Sequence, residues 1–488
     1  MNSNKDLRSQ AIGGIKWNGL SQGLTQFSSF GLAIVLMNLL NPEDFGLVAM
    51  VTVISNFFGV LTKSGLGVSL IHKDEIDAKD HSTVFFASLT FGLVLAAILF
   101  FSGSFLADFY GEPEVDAIAK WLSLPIIFIS VGTIPGNLLV RNMEYDKSFY
   151  VTLAAIVTSY PLAFILAFKG FGLYSLVIQR VVESFVYAVG NFIVSKVKLV
   201  YFFSPKLLRE HLSFGLPLLG SKTSIYWVNS FDNFIIGSIM GPASLGIYSR
   251  GFALAVIPSQ KIGFTLSTVI LSSFARIKKE KIRVEKNYVL LINLILFVIV
   301  PFFIIIAASS SEIITIIANE EKWKETGPIL SALTMVGFAK LLLQVTHNFL
   351  NSQGLSKFDF NLNLGYSIII IICFVSLANY NLLTFSVGYG VVSILGAVIW
   401  MILALKHLKF NSLQVIFNLI FKIFLAIVIS FVLHYFKGLA AFNVYLSFIL
   451  TIISVCILWF SLNILIIQND RVLVKMIIDS VLLKWKKL

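Results

Sequence analysis

Charge is what this chain has least of: Asp, Glu, Lys and Arg make up 13% of its 488 residues, against 57% hydrophobic ones. That leaves too little polar surface to solvate a globule of this size and too much apolar surface for a disordered chain, so both classes are excluded. Cysteine is nearly absent. Cys373 and Cys456 both lie in apolar runs, which excludes a disulfide framework and a thiolate metal cluster. Long polar stretches are missing as well, and with them the room for a nucleotide-hydrolysing domain. No Gly-rich phosphate loop with its lysine, no HExxH and no Ser/His/Asp set on an ordered external domain is present. An enzyme is therefore not expected, nor a cofactor beyond an ion gradient of protons or sodium. The opening MNSNKDLRSQ lacks the apolar core and cleavage site of a secretory leader, so the first apolar run is expected to direct insertion.

What fills the chain instead is a series of apolar runs of roughly 20 residues, the length a membrane-spanning helix needs. Fourteen can be counted, from about 19–40 to 442–467. The expected fold is all-α and integral to the membrane: about 14 transmembrane helices in two parallel, pseudo-symmetric six-helix lobes around a central cavity, plus two C-terminal helices. The lobes are placed at 1–195 and 212–405, joined by a cytoplasmic amphipathic linker at 196–211. Two additional helices cover 406–467, and a basic amphipathic tail, 468–488, ends the chain.

Basic residues set the orientation. The N-terminus, the even-numbered turns and the tail hold 25 of the 37 lysines and arginines, and the opposite turns hold Lys169, Lys322, Lys324 and Lys437. That asymmetry places both termini in the cytoplasm. The net charge of +12 then reads as topology and contact with membrane lipids. A nucleic-acid partner is disfavoured, because the cations are spread over many short turns.

One stretch repeats another. At an offset of 200 positions Ser21 falls on Ser221, Pro42 on Pro242, Gly46 on Gly246 and Leu47 on Ile247. Six spans separate the copies, so both enter the membrane in the same direction, as in transporters built from parallel repeats. Each copy carries a polar stripe at helical spacing: Gln22, Gln26 and Ser29 in the first, Lys222, Tyr226 and Asn229 in the second. Both stripes are either helix-to-helix hydrogen-bond seams or walls of a cavity, and the lysine favours the wall.

Ionisable groups inside the apolar runs are Lys63, Arg180, Lys222, Arg250, Lys261 and Lys340, against Glu183 and Asp232. Charges at such depth are costly and are kept for a use. A cationic excess beside amide, hydroxyl and aromatic groups suits an anionic polar ligand such as a sugar-diphosphate head group. The competing account makes each cation a paired, snorkelling or topology-setting residue. Arg180 and Glu183 are spaced to pair along one helix, and Asp232 and Arg250 to pair across a hairpin. Lys422 is expected to snorkel to the cytoplasmic interface, and His72 and His81 to be solvated loop residues.

The stretches LLNPEDFGLVAM, HSTVFF, ADFYGEPEV, GFGLYSLVIQ, HLSFGLPLL, DNFIIGSIMG and LGIYSRGFALAVIPSQ occur in that order over roughly the first 270 residues. On these the chain resembles the Wzx-type polysaccharide flippases, in the lipopolysaccharide-biosynthesis and colanic-acid-exporter branch of the multidrug/oligosaccharidyl-lipid/polysaccharide exporter superfamily. The resemblance implies a bacterial inner-membrane protein that flips an undecaprenyl-diphosphate-linked oligosaccharide from the cytoplasmic to the periplasmic leaflet, driven by an ion gradient. A lipid-linked anionic oligosaccharide is then the ligand, and a polysaccharide polymerase with its chain-length machinery the partners. Substrate-binding roles are expected of Lys222, Arg250, Lys261, Arg180, Tyr226, Asn229, Gln22, Gln26, Lys340 and Lys63, and ion coupling of Asp232 or Glu183. The family pattern usually has an acidic residue near Lys63, and this chain does not. The alternatives are a drug or other lipid exporter of the same superfamily, and a membrane glycosyltransferase or polymerase. The last needs a large external loop, whereas the longest external turn here is only 309–327.

Overall fold

The computed structural model describes residues 2–64, 67–73, 75–410, 413–439 and 443–466. All regular structure among them is helical. In chain order the helices are α1 (Asn2–Leu39), α2 (Pro42–Ser64), α3 (Ser69–His72), α4 (Ala78–Phe101), α5 (Gly103–Tyr110), α6 (Glu114–Arg141), α7 (Tyr145–Phe168) and α8 (Tyr174–Ser195). There follow α9 (Pro205–Arg276), α10 (Lys281–Ala308), α11 (Ser310–Ile317), α12 (Glu320–Trp323), α13 (Thr326–Ser352), α14 (Ser356–Leu377), α15 (Leu382–His407), α16 (Leu413–Leu439) and α17 (Val444–Ile466). Thirteen are long and apolar enough to cross a membrane. The longest, α9, is broken at Gly241, whose φ of +82° and ψ of 177° favour glycine. Its parts are 205–240 (α9a) and 242–276 (α9b), so the fourteen apolar runs fall on thirteen span-length helices among the described residues, two of the runs on α9. The expected basic tail, 468–488, lies outside the described residues.

The chain divides into two compact units, Met1–Gly246 and Ile247–Leu488. In the first, α6 is the hub, packed by α2, α4 and α8, with α7 on α8 and α1 on α7. The ends of this unit are tied differently. At one end α2 and α9b both start on a proline, the residue whose missing N–H costs nothing at a first helical position. Gly46 and Gly246 lie one turn further on, and each is pressed against the other copy's proline carbonyl. At the opposite end Arg141 donates to the carbonyls of Leu70, Ile71 and Lys73, tying α6 to the turn after α2. There Asp77 caps α4 in a reciprocal capping box with Asp80.

Asp80 also accepts from Lys73 Nζ at 2.8 Å and faces His211 Nε2 at 3.1 Å, while His211 Nδ1 meets Ser69 Oγ at 2.7 Å. The Asp80 hydrogen bond holds the Lys73 ammonium above its ordinary range. Of the expected amphipathic linker, 197–204 is not helical. It is a strap whose Val200 and Ser204 N–H groups donate to Ser82 Oγ and Thr83 Oγ1. His81 departs from the loop expectation: it lies in the first turn of α4 with both ring nitrogens buried.

In the second unit α10 and α13 are central, packed by α15, α16 and α17. Tyr288 stacks on Phe349 with ring centroids 4.0 Å apart, and both are fully buried. Pro301 removes one backbone donor from α10 and so frees the carbonyl four residues back, that of Phe297. Trp459 Nε1 of α17 fills that vacancy at 2.8 Å. Lys422 does not snorkel. Its side chain is fully buried, with Nζ 5.7 Å from the Phe297 ring of α10, and one turn earlier on α16 Asn418 donates to Asn293 of α10 at 3.2 Å. Hydropathy counts a lysine near a helix end as interfacial; a third helix packed over that end removes the interface. The 309–327 turn contains α11 and α12, and its Glu312 accepts from Lys437 Nζ at 2.6 Å and from Ser447 Oγ at 2.8 Å.

Candidate functional site

Five helices of the first unit bring polar groups to one place. Glu183 of α8 accepts from Gln179 Nε2, one turn earlier, at 2.7 Å. Tyr160 of α7 lies beside Glu183 and Ser29 of α1. Arg180 and, from α2, Lys63 are in Coulombic reach of the same carboxylate. Arg180 also faces Tyr226 of α9a, whose hydroxyl donates to the Val53 carbonyl of α2. Two cations therefore share one carboxylate, and the locality is left net positive. Inside a membrane such an imbalance persists only where water or an anion completes it.

Arg180 and Glu183 influence one another through charge, as Lys63 does, but no direct ion pair joins Glu183 to either cation among the described residues. Lys222, one turn before Tyr226, is exposed and makes no hydrogen bond or ion pair among the described residues. Gln22 donates to Asn18 at 3.4 Å and Gln26 is half-buried, both on α1. Asn229 donates to the Ile225 carbonyl at 2.9 Å. Asp232 is buried at 2% exposure, and its Oδ1 accepts from the Asn233 N–H at 2.8 Å.

Other expected residues belong to the second unit. Lys261 of α9b is exposed and likewise has no polar partner among the described residues, while Arg250 is half-buried on the same helix. Lys340 of α13 sits 4.9 Å from the centre of the Phe252 ring, in cation–π range. Beyond it, at intervals of four residues, come Gln344 and Asn348, which donate to Ser267 Oγ of α9b at 3.2 and 2.7 Å. His347 pairs with the buried Asp359 at 2.5 Å.

Tyr160, Gln179, Gln344 and Asn348 were not singled out from the sequence. A signal for three of them exists: Gln179 is four residues before Glu183, and Gln344 and Asn348 continue the Lys340 stripe. For Tyr160 there is none, because only tertiary packing brings α7 to α8. Outside the spans, the Glu112 carboxyl after α5 is pushed up, first by burial and then by Glu43 and Glu114. The described residues offer no group of three His, Cys, Asp or Glu side chains that could hold a metal ion.

Residues 35–328 match the family described as polysaccharide biosynthesis protein. The teichuronic acid biosynthesis protein TuaB of Bacillus subtilis is 24% identical over 444 residues, covering 90% of this chain and 89% of its own. The lipopolysaccharide biosynthesis protein WzxC of Escherichia coli is 21% identical over 336 residues, 68% of either chain. Among solved structures, the lipid II flippase MurJ in an inward closed conformation superposes with TM-score 0.73 at 16% identity, covering 92% of this chain and 98% of that one. An inward-facing multidrug resistance MATE family transporter of the MOP superfamily gives 0.53, also at 16% identity, over 78% and 94%. These likenesses establish the fold of the MOP transporters. With the family match extending over more than half its length, the chain belongs to the polysaccharide biosynthesis protein family.

Proposed function

We propose that this protein is a flippase for an undecaprenyl-diphosphate-linked oligosaccharide repeat unit, working by ion-coupled alternating access in a bacterial inner membrane with both termini in the cytoplasm. The observation that carries it is the net-positive cluster of Lys63, Arg180 and Glu183, set beside an exposed Lys222 without a polar partner. Diphosphate is the ligand chemistry that such cations recognise, and a helical membrane protein without a catalytic constellation can move it but not transform it. The parallel repeat supplies the moving parts: two six-helix lobes, 1–195 and 212–405, rocking about a shared site. Lys222, Arg180, Lys261 and Arg250 hold diphosphate or acidic sugars. Gln22, Gln26, Tyr226, Asn229, Lys340 and Lys63 complete the lining. Glu183, which already shares Arg180 and Lys63, is the proton-sensitive partner, with Asp232 the second carboxylate. A polymerase and its chain-length machinery would receive the flipped unit. The family and its relatives, named for teichuronic acid and lipopolysaccharide biosynthesis, support this substrate class.

The test is leaflet-resolved analysis of lipid-linked oligosaccharides in a strain lacking the gene. One complete repeat unit should accumulate on the cytoplasmic side. A Lys222→Ala, Lys261→Ala double variant should reproduce that accumulation at normal membrane levels. Normal surface polysaccharide from the double variant would sink the assignment.

A further inference from the structure

Alongside the cationic cluster, α9a carries Trp227, Phe231 and Phe234 at intervals of four and three residues, hence on one helix face. These rings do not form a sealed core. Trp227, Phe231 and Phe234 are each only part-buried, as is Phe57 of α2, while Phe109 of α5 is 47% exposed. They nevertheless touch in sequence. Phe57 meets Trp227 at a centroid distance of 5.2 Å and Tyr226 at 5.9 Å. Trp227 meets Phe234 edge-on at 6.2 Å, Phe231 stacks on Phe234 at 6.2 Å, and Phe109 stacks on Phe234 at 5.9 Å with planes 18° apart. Trp227 is fourteen residues from Gly241 and Phe234 seven, so the row rises about 10 Å between them and goes on to Phe109 at the end of α5. It begins at Tyr226, which faces Arg180, with Lys222 one turn away.

We propose that Phe57, Tyr226, Trp227, Phe231, Phe234 and Phe109 form a sugar-stacking track leading from the cationic cluster to the Gly46–Gly246 end of the first unit. The proposal rests on the flippase reading and names the part of the substrate that the cations do not. A pyranose ring is amphipathic: its hydroxyls point outward, while axial C–H bonds cluster on one face. An aromatic face carries the negative lobe of the ring quadrupole and accepts such C–H groups. Stacking of this kind tolerates ring identity, so successive sugars can move along it without a fixed hydrogen-bond register. Lipid tails would use these positions equally well with leucine, which has the same apolarity and better helix propensity. The difference between aromatic and aliphatic side chains therefore separates a sugar track from a lipid-facing surface.

The experiment compares two triple variants, expressed in the deletion strain with membrane levels measured. One is Phe57→Leu, Trp227→Leu, Phe234→Leu; the other, Phe57→Tyr, Trp227→Phe, Phe234→Tyr, keeps the rings. The leucine variant should lose export of surface polysaccharide by about tenfold or more and accumulate the lipid-linked unit, while the aromatic variant stays near wild type. Trp227→Leu alone serves as the second variant should the leucine triple fail to insert, and it should show a smaller loss in the same direction. Export at the wild-type level from whichever inserted leucine variant is measured overturns the track and leaves the flippase reading intact. A wild-type gene that restores no export in the deletion strain overturns both.

Discussion

Gly46 lies so close to Pro242 that a β-carbon on the glycine would fall 1.7 Å from the proline carbonyl oxygen, and Gly246 stands 1.8 Å from the Pro42 oxygen by the same measure. The four positions are related by the 200-residue offset, so the contact is reciprocal in structure as well as in sequence. Proline at the first helical position and glycine four residues later put both on one face of each helix, and the two helix starts cross with no room for a side chain. Gly46→Val and Gly246→Val should therefore have similar effects, each lowering stability by about 1–3 kcal/mol through overpacking. Thermal unfolding of the purified protein measures this. A well-tolerated valine at either position would show that the contact yields.

Glu183 is the carboxylate in Coulombic reach of both Lys63 and Arg180, so its neutralisation leaves both cations without that charge. Glu183→Gln should cut export of surface polysaccharide by about tenfold, since removing the one negative charge of a part-buried set leaves its cations uncompensated. Tyr160→Phe removes a hydroxyl beside the carboxylate and no charge, and it should cost only a fewfold. Equal losses from the two variants at equal membrane levels would show that the cluster acts through its hydrogen bonds and not its charge.

The fold was legible in this sequence to an unusual degree, because a spanning helix announces itself by length and apolarity alone. All fourteen apolar runs fall on helices, and Pro42, Gly46, Pro242 and Gly246 mark a repeat in the sequence, but that the two copies touch is visible only in the structure. Contacts between distant helices were not legible. Tyr160 and Glu183 meet only through the packing of α7 on α8. His211 joins Asp80 across 131 positions, and nothing local in either segment points to the other. Lys422 shows the same limit: periodicity placed it correctly on its helix, but its burial involves another helix, α10, whose Phe297 ring lies 5.7 Å from its Nζ.

The Phe297 carbonyl, freed by Pro301, has Trp459 Nε1 as its donor, and both residues are buried. Trp459→Phe keeps the ring's bulk approximately and removes the N–H, so the carbonyl is left unsatisfied in an apolar surrounding. The expected loss is about 1–3 kcal/mol of stability. Pro301→Ala restores the helical N–H to the same carbonyl and should offset much of that loss in a double variant. Thermal unfolding of the four proteins forms a cycle, and strict additivity would disprove the link between the proline and the tryptophan.

Glu312 ties α11 to the C-terminal helices through Lys437 and Ser447. Burial alone would raise its carboxyl, but the Lys437 and Ser447 hydrogen bonds outweigh burial and hold it below the ordinary 4.5. A carboxyl depressed on folding contributes stability that is present above its unfolded value and disappears as pH falls through the lower folded value. The contribution should therefore be complete at neutral pH and vanish only in acid below 4.5. Glu312→Gln removes the titrating group, so it should unfold at a lower temperature than wild type at pH 7, and the difference should narrow as the pH falls below 4.5. Hydrogen exchange at α16 and α17 should follow the same course. A difference between the two proteins that is unchanged from pH 7 to pH 3 would mean that the Lys437 contact acts by shape and not by charge.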